Sequence, residues 1–192
     1  MRIGLVYWSL LLLIALAVAE NTTTNNLAVQ NLSAINESDP VAWFHLGDSL
    51  LNQGLNNESI AAYDRAIELN NSYAEAWNHK GNALLNLSRY DDALQAYDKA
   101  LEINPRYGIA WHNKGDALAS QGKYNESLLA FDKAIEIDPR DEADWINKGI
   151  ALDRLGEYNK SLRAYDRVIE INPRDATAAT AWVGKGIAFY NL

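Results

Sequence analysis

A tryptophan recurs every 34 residues along most of this 192-residue chain: Trp43, Trp77, Trp111 and Trp145. Each is followed four residues later by a glycine (Gly47, Gly81, Gly115, Gly149) and twenty residues later by an aromatic (Tyr63, Tyr97, Phe131, Tyr165). Pro105, Pro139 and Pro173 keep the same period, with Asn71 in the first unit's place. A fifth Trp-x-x-Lys-Gly begins at Trp182, 37 residues after Trp145, so three extra residues fall between Ala176 and Ala181. A period of this length means one supersecondary unit repeated, each too small to bury its apolar face alone. Stacking buries that face, and stability becomes a sum of unit and interface terms.

Each unit holds two helical patterns. In the second, 74–87 places Trp77, Gly81, Leu84 and Leu85 at helical spacing, and 91–104 does so for Leu94, Tyr97 and Leu101. A break separates them, carrying Gly54, Gly122 or Gly156 in the other units. Asp91, Asn125 and Asn159 are expected to cap the second helix, and the prolines to end it. Gly81, Ala93 and Ala100 let two antiparallel helices approach closely. Trp77 and Tyr97 are expected to fill the space between helices and reach the next unit.

The N-terminus reads as a targeting segment. Met1 and Arg2 precede an uncharged run from Ile3 to Ala19 that closes on Ala17-Val18-Ala19. A basic start, an apolar stretch and a small-x-small end describe a signal peptide over 1–19, or a retained N-terminal anchor. Either expectation puts the body of the protein outside the cytoplasm, secreted or tethered to the cell membrane. Residues 20–39 are polar and read as a linker. Eight N-x-S/T sequons begin at Asn21, Asn31, Asn36, Asn57, Asn70, Asn86, Asn125 and Asn159, where 20 Asn and 15 Ser or Thr would give fewer than two by chance. They are glycosylation candidates, although three of them share one place in the repeat.

Composition excludes several classes. With 17 basic against 25 acidic residues the net charge is −8, which disfavours nucleic-acid binding. The absence of cysteine removes disulfides, thiolate metal sites and cysteine nucleophiles. No Gly-rich phosphate loop, H-E-x-x-H or nucleophile elbow is present, so no enzyme, cofactor or metal is expected. His45, His79 and His112 sit near the tryptophans, with Asp48 and Asp116 within a helical turn of His45 and His112. They read as polar surface residues rather than ligands, because neighbouring helices stand about 10 Å apart. Asp64, Asp98, Asp132 and Asp166, with the adjoining bases and Glu68, Glu102, Glu136 and Glu170, read as a solvated face of i,i+3 pairs.

The motifs Trp43-x2-Leu46-Gly47, Trp77-x2-Lys80-Gly81, Trp111-x2-Lys114-Gly115, Trp145-x2-Lys148-Gly149 and Trp182-x2-Lys185-Gly186 resemble the tetratricopeptide repeat, in an exported protein of archaeal or bacterial type. The resemblance implies an all-α, right-handed superhelical solenoid of 34-residue helix-turn-helix repeats. Four units cover 40–73, 74–107, 108–141 and 142–175, and a half repeat or terminal helix covers 176–192. Lysine replaces the family's leucine in four motifs; its stem can lie on apolar surface with the ammonium in water.

The resemblance also implies a function: a scaffold binding a peptide or protein partner in a concave groove. An accessory subunit of an envelope enzyme or assembly complex is the alternative, and a metal- or glycan-binding module a more distant one. In the family, first-helix residues just after the Trp and four or five beyond it face the groove. Here these are Phe44, Asp48, Asn78, Asn82, His112, Asp116, Ile146 and Ile150, with His79, Asn113 and Asn147 beside them. No Lys or Arg stands among them, so a carboxylate clamp is not expected, and a neutral or basic, partly apolar segment is. The terminal helix carries Trp182, Val183, Ile187, Phe189 and Leu192, which makes it a cap, a face for self-association or a partner, or the first half of a repeat in a longer, truncated array.

Overall fold

The computed structural model describes residues 36–192 as two compact units, 36–89 and 90–192. The targeting segment, most of the linker, and the sequons at Asn21 and Asn31 lie outside the described residues. Among the described residues there are nine α-helices and no strand. The first unit holds α1 (Pro40–Asn52), α2 (Asn56–Leu69) and α3 (Ala74–Asn86). The second holds α4 (Tyr90–Ile103), α5 (Gly108–Ser120), α6 (Tyr124–Ile137), α7 (Glu142–Arg154), α8 (Tyr158–Ile171) and α9 (Ala176–Tyr190). Short loops turn the chain back, and within each unit every helix packs on its neighbours in sequence. The first helices also touch in a row: α1 on α3, α5 on α7, α7 on α9. This is an all-α solenoid of helix pairs.

The turn within each pair is set by one left-handed residue. Gly54, Gly122 and Gly156 adopt φ of +76°, +74° and +73°, and Ser88 takes the same place at +57°. The next N–H then reaches back to the helix end, as in Lys123 to Leu118 O at 2.9 Å, and satisfies a carbonyl the helix leaves open. That single turn leaves no residue to spare. α6 and α8 begin at Tyr124 and Tyr158, and neither has a side-chain cap. Asn125 and Asn159 therefore lie inside the first helical turn, exposed, and Asp91 does the same in α4. The expected caps are not caps. The side-chain caps the structure does show are Asp39, Asp141 and Asp175, each at a first helix.

The third residue of these sequons has a packing role of its own. Ser59, Ser127 and Ser161 are fully buried, each hydroxyl donating to a carbonyl three residues back at 2.9–3.0 Å. Ala93 fills that slot in the second repeat. A small side chain is what the close helix contact admits.

Ring-on-glycine contacts join the two helices of a repeat. A Cβ on Gly115 would stand 2.5 Å from Phe131, and one on Gly149 would stand 2.5 Å from Tyr165. Gly47 and Tyr63 make the same contact. The rings therefore lie flat against bare backbone, and Tyr63, Phe131 and Tyr165 are buried.

The tryptophans differ from expectation. Trp43 is buried, but Trp77, Trp111 and Trp145 are half-buried. Each of these indoles donates to the carbonyl six residues back, Asn71 O at 3.4 Å, Pro105 O at 3.0 Å and Pro139 O at 3.1 Å. They pin the loop between repeats, and Trp77 and Trp145 pack on the core from its rim. A lysine covers each ring: Lys80, Lys114 and Lys148 lie 5.1–5.4 Å from the ring centres. Their ammonium groups donate to Asp64, Asp98 and Asp132 of the preceding repeat at 2.5–2.6 Å, and Lys185 does so to Asp166. The Asp band is thus an inter-repeat staple. Within this band the i,i+3 pairs are Arg65–Glu68, Lys99–Glu102, Lys133–Glu136 and Arg167–Glu170. Trp111→Ala should cost about 1–2 kcal/mol in chemical denaturation, below the 3–5 of a fully buried ring, because this one keeps a solvated side.

Candidate functional site

The residues after each tryptophan do not all face outward. Positions one beyond the Trp turn under the second helix: Phe44 and Ile146 are buried, and Asn78 is fully so. Asn78 therefore supports the surface rather than lining it. His112, in the same slot, is half-buried. Positions two and five beyond the Trp form the accessible row, with Asp48, His79, Asn82, Asn113, Asp116 and Asn147 partly exposed and Ile150 exposed.

In the first unit, Asp48 gathers this face. Its Oδ1 accepts from the Tyr63 hydroxyl at 2.8 Å and meets His79 Nδ1 at 2.7 Å. Phe44 lies 5.0 Å from the rings of both Tyr73 and His79. Burial, with Asp48 adding to it, holds the Tyr63 hydroxyl protonated far above the ordinary phenol range. His45 pairs with Phe44 alone among these rings, at 5.5 Å, and Asp48 turns to the following repeat instead.

The second unit repeats that inter-repeat bond and adds a charge. Asn147 donates to Asp116 Oδ1 at 2.8 Å, in the register of His79 on Asp48. His112 stands between two carboxylates, Nδ1 at 2.7 Å from Asp144 Oδ1 and Nε2 at 3.3 Å from Asp116 Oδ2. Hydrogen bonds to Asp116 and then Asp144 outweigh burial and push its pKa up to about 10. The ring is an imidazolium with both N–H groups donating. Burial holds the Asp144 carboxyl above its ordinary range, and the imidazolium draws it only part of the way back. Asp144 was not anticipated, yet a signal existed. The slot before the Trp is Ala42, Ala76 and Ala110 in the first three repeats and Asp only in the fourth. Its side chain is buried against His112, itself the one histidine in its slot.

Beyond this cluster lies an apolar pocket of about 400 Å³ between α7, α8 and α9. Ile146, Ile150, Val183 and Ile187 line it, with Asp153 and Arg154 at its edge. Tyr165 closes it and donates to Asp153 Oδ2 at 2.7 Å. Among the described residues no cluster of His, Asp and Glu could hold a metal ion. The face offers a carboxylate-rich row beside an apolar pocket.

The tetratricopeptide repeat family model matches residues 27–74, 44–108 and 78–142, and a second model of the same description matches 144–175. Among solved structures, MamA superposes with a TM-score of 0.70 at 22% identity, over 77% of this chain and 85% of its own. YrrB, described as a TPR protein with an unusual peptide-binding site, gives 0.70 at 24%, over 85% and 84%. The first TPR of Spaghetti, bound to the HSP90 peptide SRMEEVD, gives 0.56 at 20%, over 61% and 93%. No curated protein matches the sequence.

Proposed function

Because this chain belongs to the tetratricopeptide repeat family, we propose that it is a scaffold that holds a neutral or basic, partly apolar peptide segment of a partner protein on the first-helix face of its second unit. The observation that carries the reading is the pocket lined by Ile150 and Ile187 next to the Asp116–His112–Asp144 row. An apolar side chain would enter the pocket, and the acidic row would favour a basic neighbour over an acidic one. The peptide-binding site described for YrrB and the HSP90 peptide bound to the first TPR of Spaghetti support this use of the fold. The groove positions Asp116, Asn147 and Ile150 hold no Lys or Arg and His112 is engaged by two carboxylates, so Arg154 at the pocket's edge is left to meet a partner's terminal carboxylate, which argues against a clamp of several cations.

The reading includes location. Met1-Arg2 with the Ile3–Ala19 run, and the sequons at exposed Asn36, Asn57, Asn70, Asn86, Asn125 and Asn159, support an exported protein. N-terminal sequencing of the mature chain should then begin at Glu20, and intact mass should report any glycan. A chain starting at Met1 in the cytosol would overturn export. For binding, affinity capture with the purified chain should identify a partner, and Ile150→Asp with Ile187→Asp should weaken it at least tenfold, about 1.4 kcal/mol. Unchanged affinity with an unchanged melt would place the partner elsewhere.

A further inference from the structure

The second helices of the third and fourth repeats depart from the earlier ones at two slots. The slot five residues before the buried aromatic holds Glu58, Asp92 and Glu126, then Lys160. The slot two residues before it holds Ala61 and Gln95, then Leu129 on α6 and Arg163 on α8. An acid in the first turn suits the positive end of the helix dipole, and α2, α4 and α6 each have one there. α8 has none and carries Lys160 instead. Leu129 is 68% exposed, so core packing does not account for it. Neither the helix dipole nor the core explains these changes.

All three changed residues line one groove. It lies between α6 and α8 over α7 and holds about 600 Å³. Each of these helices packs on a described helix before and after it. Leu129, Trp145 and Leu152 give the groove an apolar surface, with Lys148, Lys160, Arg163 and Arg167 around it. Two carboxylates share the lining: Asp132, held by Lys148, and Glu157, held by Lys160. Arg167 binds Glu170. Arg163 is exposed, and its guanidinium has no ion pair or hydrogen bond among the described residues. Four cations thus stand against two carboxylates, on a chain whose net charge is −8. The groove uses Trp145, Lys148 and Leu152 of α7, whereas the pocket beside the His112 cluster uses Ile146, Ile150 and Asp153. The two sites occupy different stripes of one helix.

We propose that this groove is a second docking site, which takes an acidic segment of a partner protein, one large apolar side chain resting on Leu129 and the flanking carboxylates on Arg163 and Lys160. Charge complementarity selects the occupant. The unpaired guanidinium offers a planar fork that matches a carboxylate. Exposed ion pairs alone are weak, so the apolar contact must carry part of the affinity. On α6 the slots of Lys160 and Arg163 hold Glu126 and Leu129, and Glu126 would repel such a segment there. The first-helix face favours a neutral or basic segment and this groove an acidic one, so one chain can hold two different partners. The proposal uses none of the side chains of the peptide-binding reading, and either can fail alone.

The test uses the full chain and a fluorescein-labelled peptide, Gly-Glu-Glu-Leu-Phe-Glu-Glu-Gly. Anisotropy should show saturable binding that weakens as sodium chloride rises from about 0.05 to about 0.5 M. Arg163→Glu should weaken it at least tenfold, and Leu129→Ser at least fivefold. Both side chains are exposed, so neither variant should lower the melt. Ile150→Asp, and Arg154→Glu at the edge of the other pocket, should each change the affinity by less than about twofold. No saturation below about 1 mM peptide would overturn the proposal. So would an equal loss with Arg154→Glu, which would mean attraction by charge alone. Loss with Ile150→Asp but not with Arg163→Glu would overturn it too, by placing the peptide in the other pocket. A dimer in sedimentation equilibrium that Arg163→Glu dissolves and the peptide does not displace would make a second copy the occupant and equally overturn it.

Discussion

Gly115→Leu is expected to destabilise the second unit by about 3 kcal/mol or more, while Gly186→Ala, in the same register of the last helix, should stabilise it by about 0.5–1 kcal/mol. The two signs come from one measurement of space. A Cβ on Gly115 would overlap the Phe131 ring at 2.5 Å, and that ring is buried. It cannot swing out without opening a cavity, and the backbones cannot part without loosening the helix pair. At Gly186 the Cβ meets nothing, and alanine simply restrains the unfolded chain and favours the helix. Guanidinium unfolding followed by circular dichroism checks both. A repeat array can unfold in parts, so loss of the second unit's transition is the quantity to read. Equal effects at the two glycines would mean that ring packing does not hold these helices together.

The second large effect belongs to His112 and Asp144. Asp144→Ala restores the repeat's usual residue, yet should cost about 2 kcal/mol. It strips a buried partner from the imidazolium, and the value stays below the 3–5 of a fully buried pair because His112 retains Asp116 and some solvent. The double change His112→Ile with Asp144→Ala puts the residue types of other repeats in both slots and should recover most of that loss, as apolar replacement of a buried ion pair commonly does. The pH dependence carries the same signature. The folded pKa of about 10 lies above the unfolded value near 6.5, so the pair's stabilisation is fully present below about pH 6.5. It declines as pH rises and is gone above about 10. The difference in unfolding free energy between parent and double variant, measured at pH 6, 8 and 9.5, should therefore shift steadily against the parent. A flat difference would mean that His112 is neutral in the folded protein.

Where sequence reading fell short, the reason is rotational. The 34-residue period locates Phe44, Asn78, His112 and Ile146 in one slot, but whether that slot faces solvent depends on how far each first helix is rolled toward its second. The observed roll buries Phe44, Asn78 and Ile146 and leaves positions two and five beyond the Trp as the accessible row. A helix of period 3.6 permits either orientation when the slot holds Asn or His as readily as Phe or Ile.

The sequence by itself determined the repeat, its two helices, the break between them and the close helix approach at the small-residue slots, because each is local or recurs at a fixed spacing. The tertiary structure decided the rest. Lys80 reaches Asp64 across 16 residues, Asp48 reaches His79 across 31, and Asp144 reaches His112 across 32. Those separations match no helical period. They exist because stacking sets one repeat on the next at a particular offset, and only that offset brings a lysine over an indole onto an aspartate, or sets a histidine between two carboxylates.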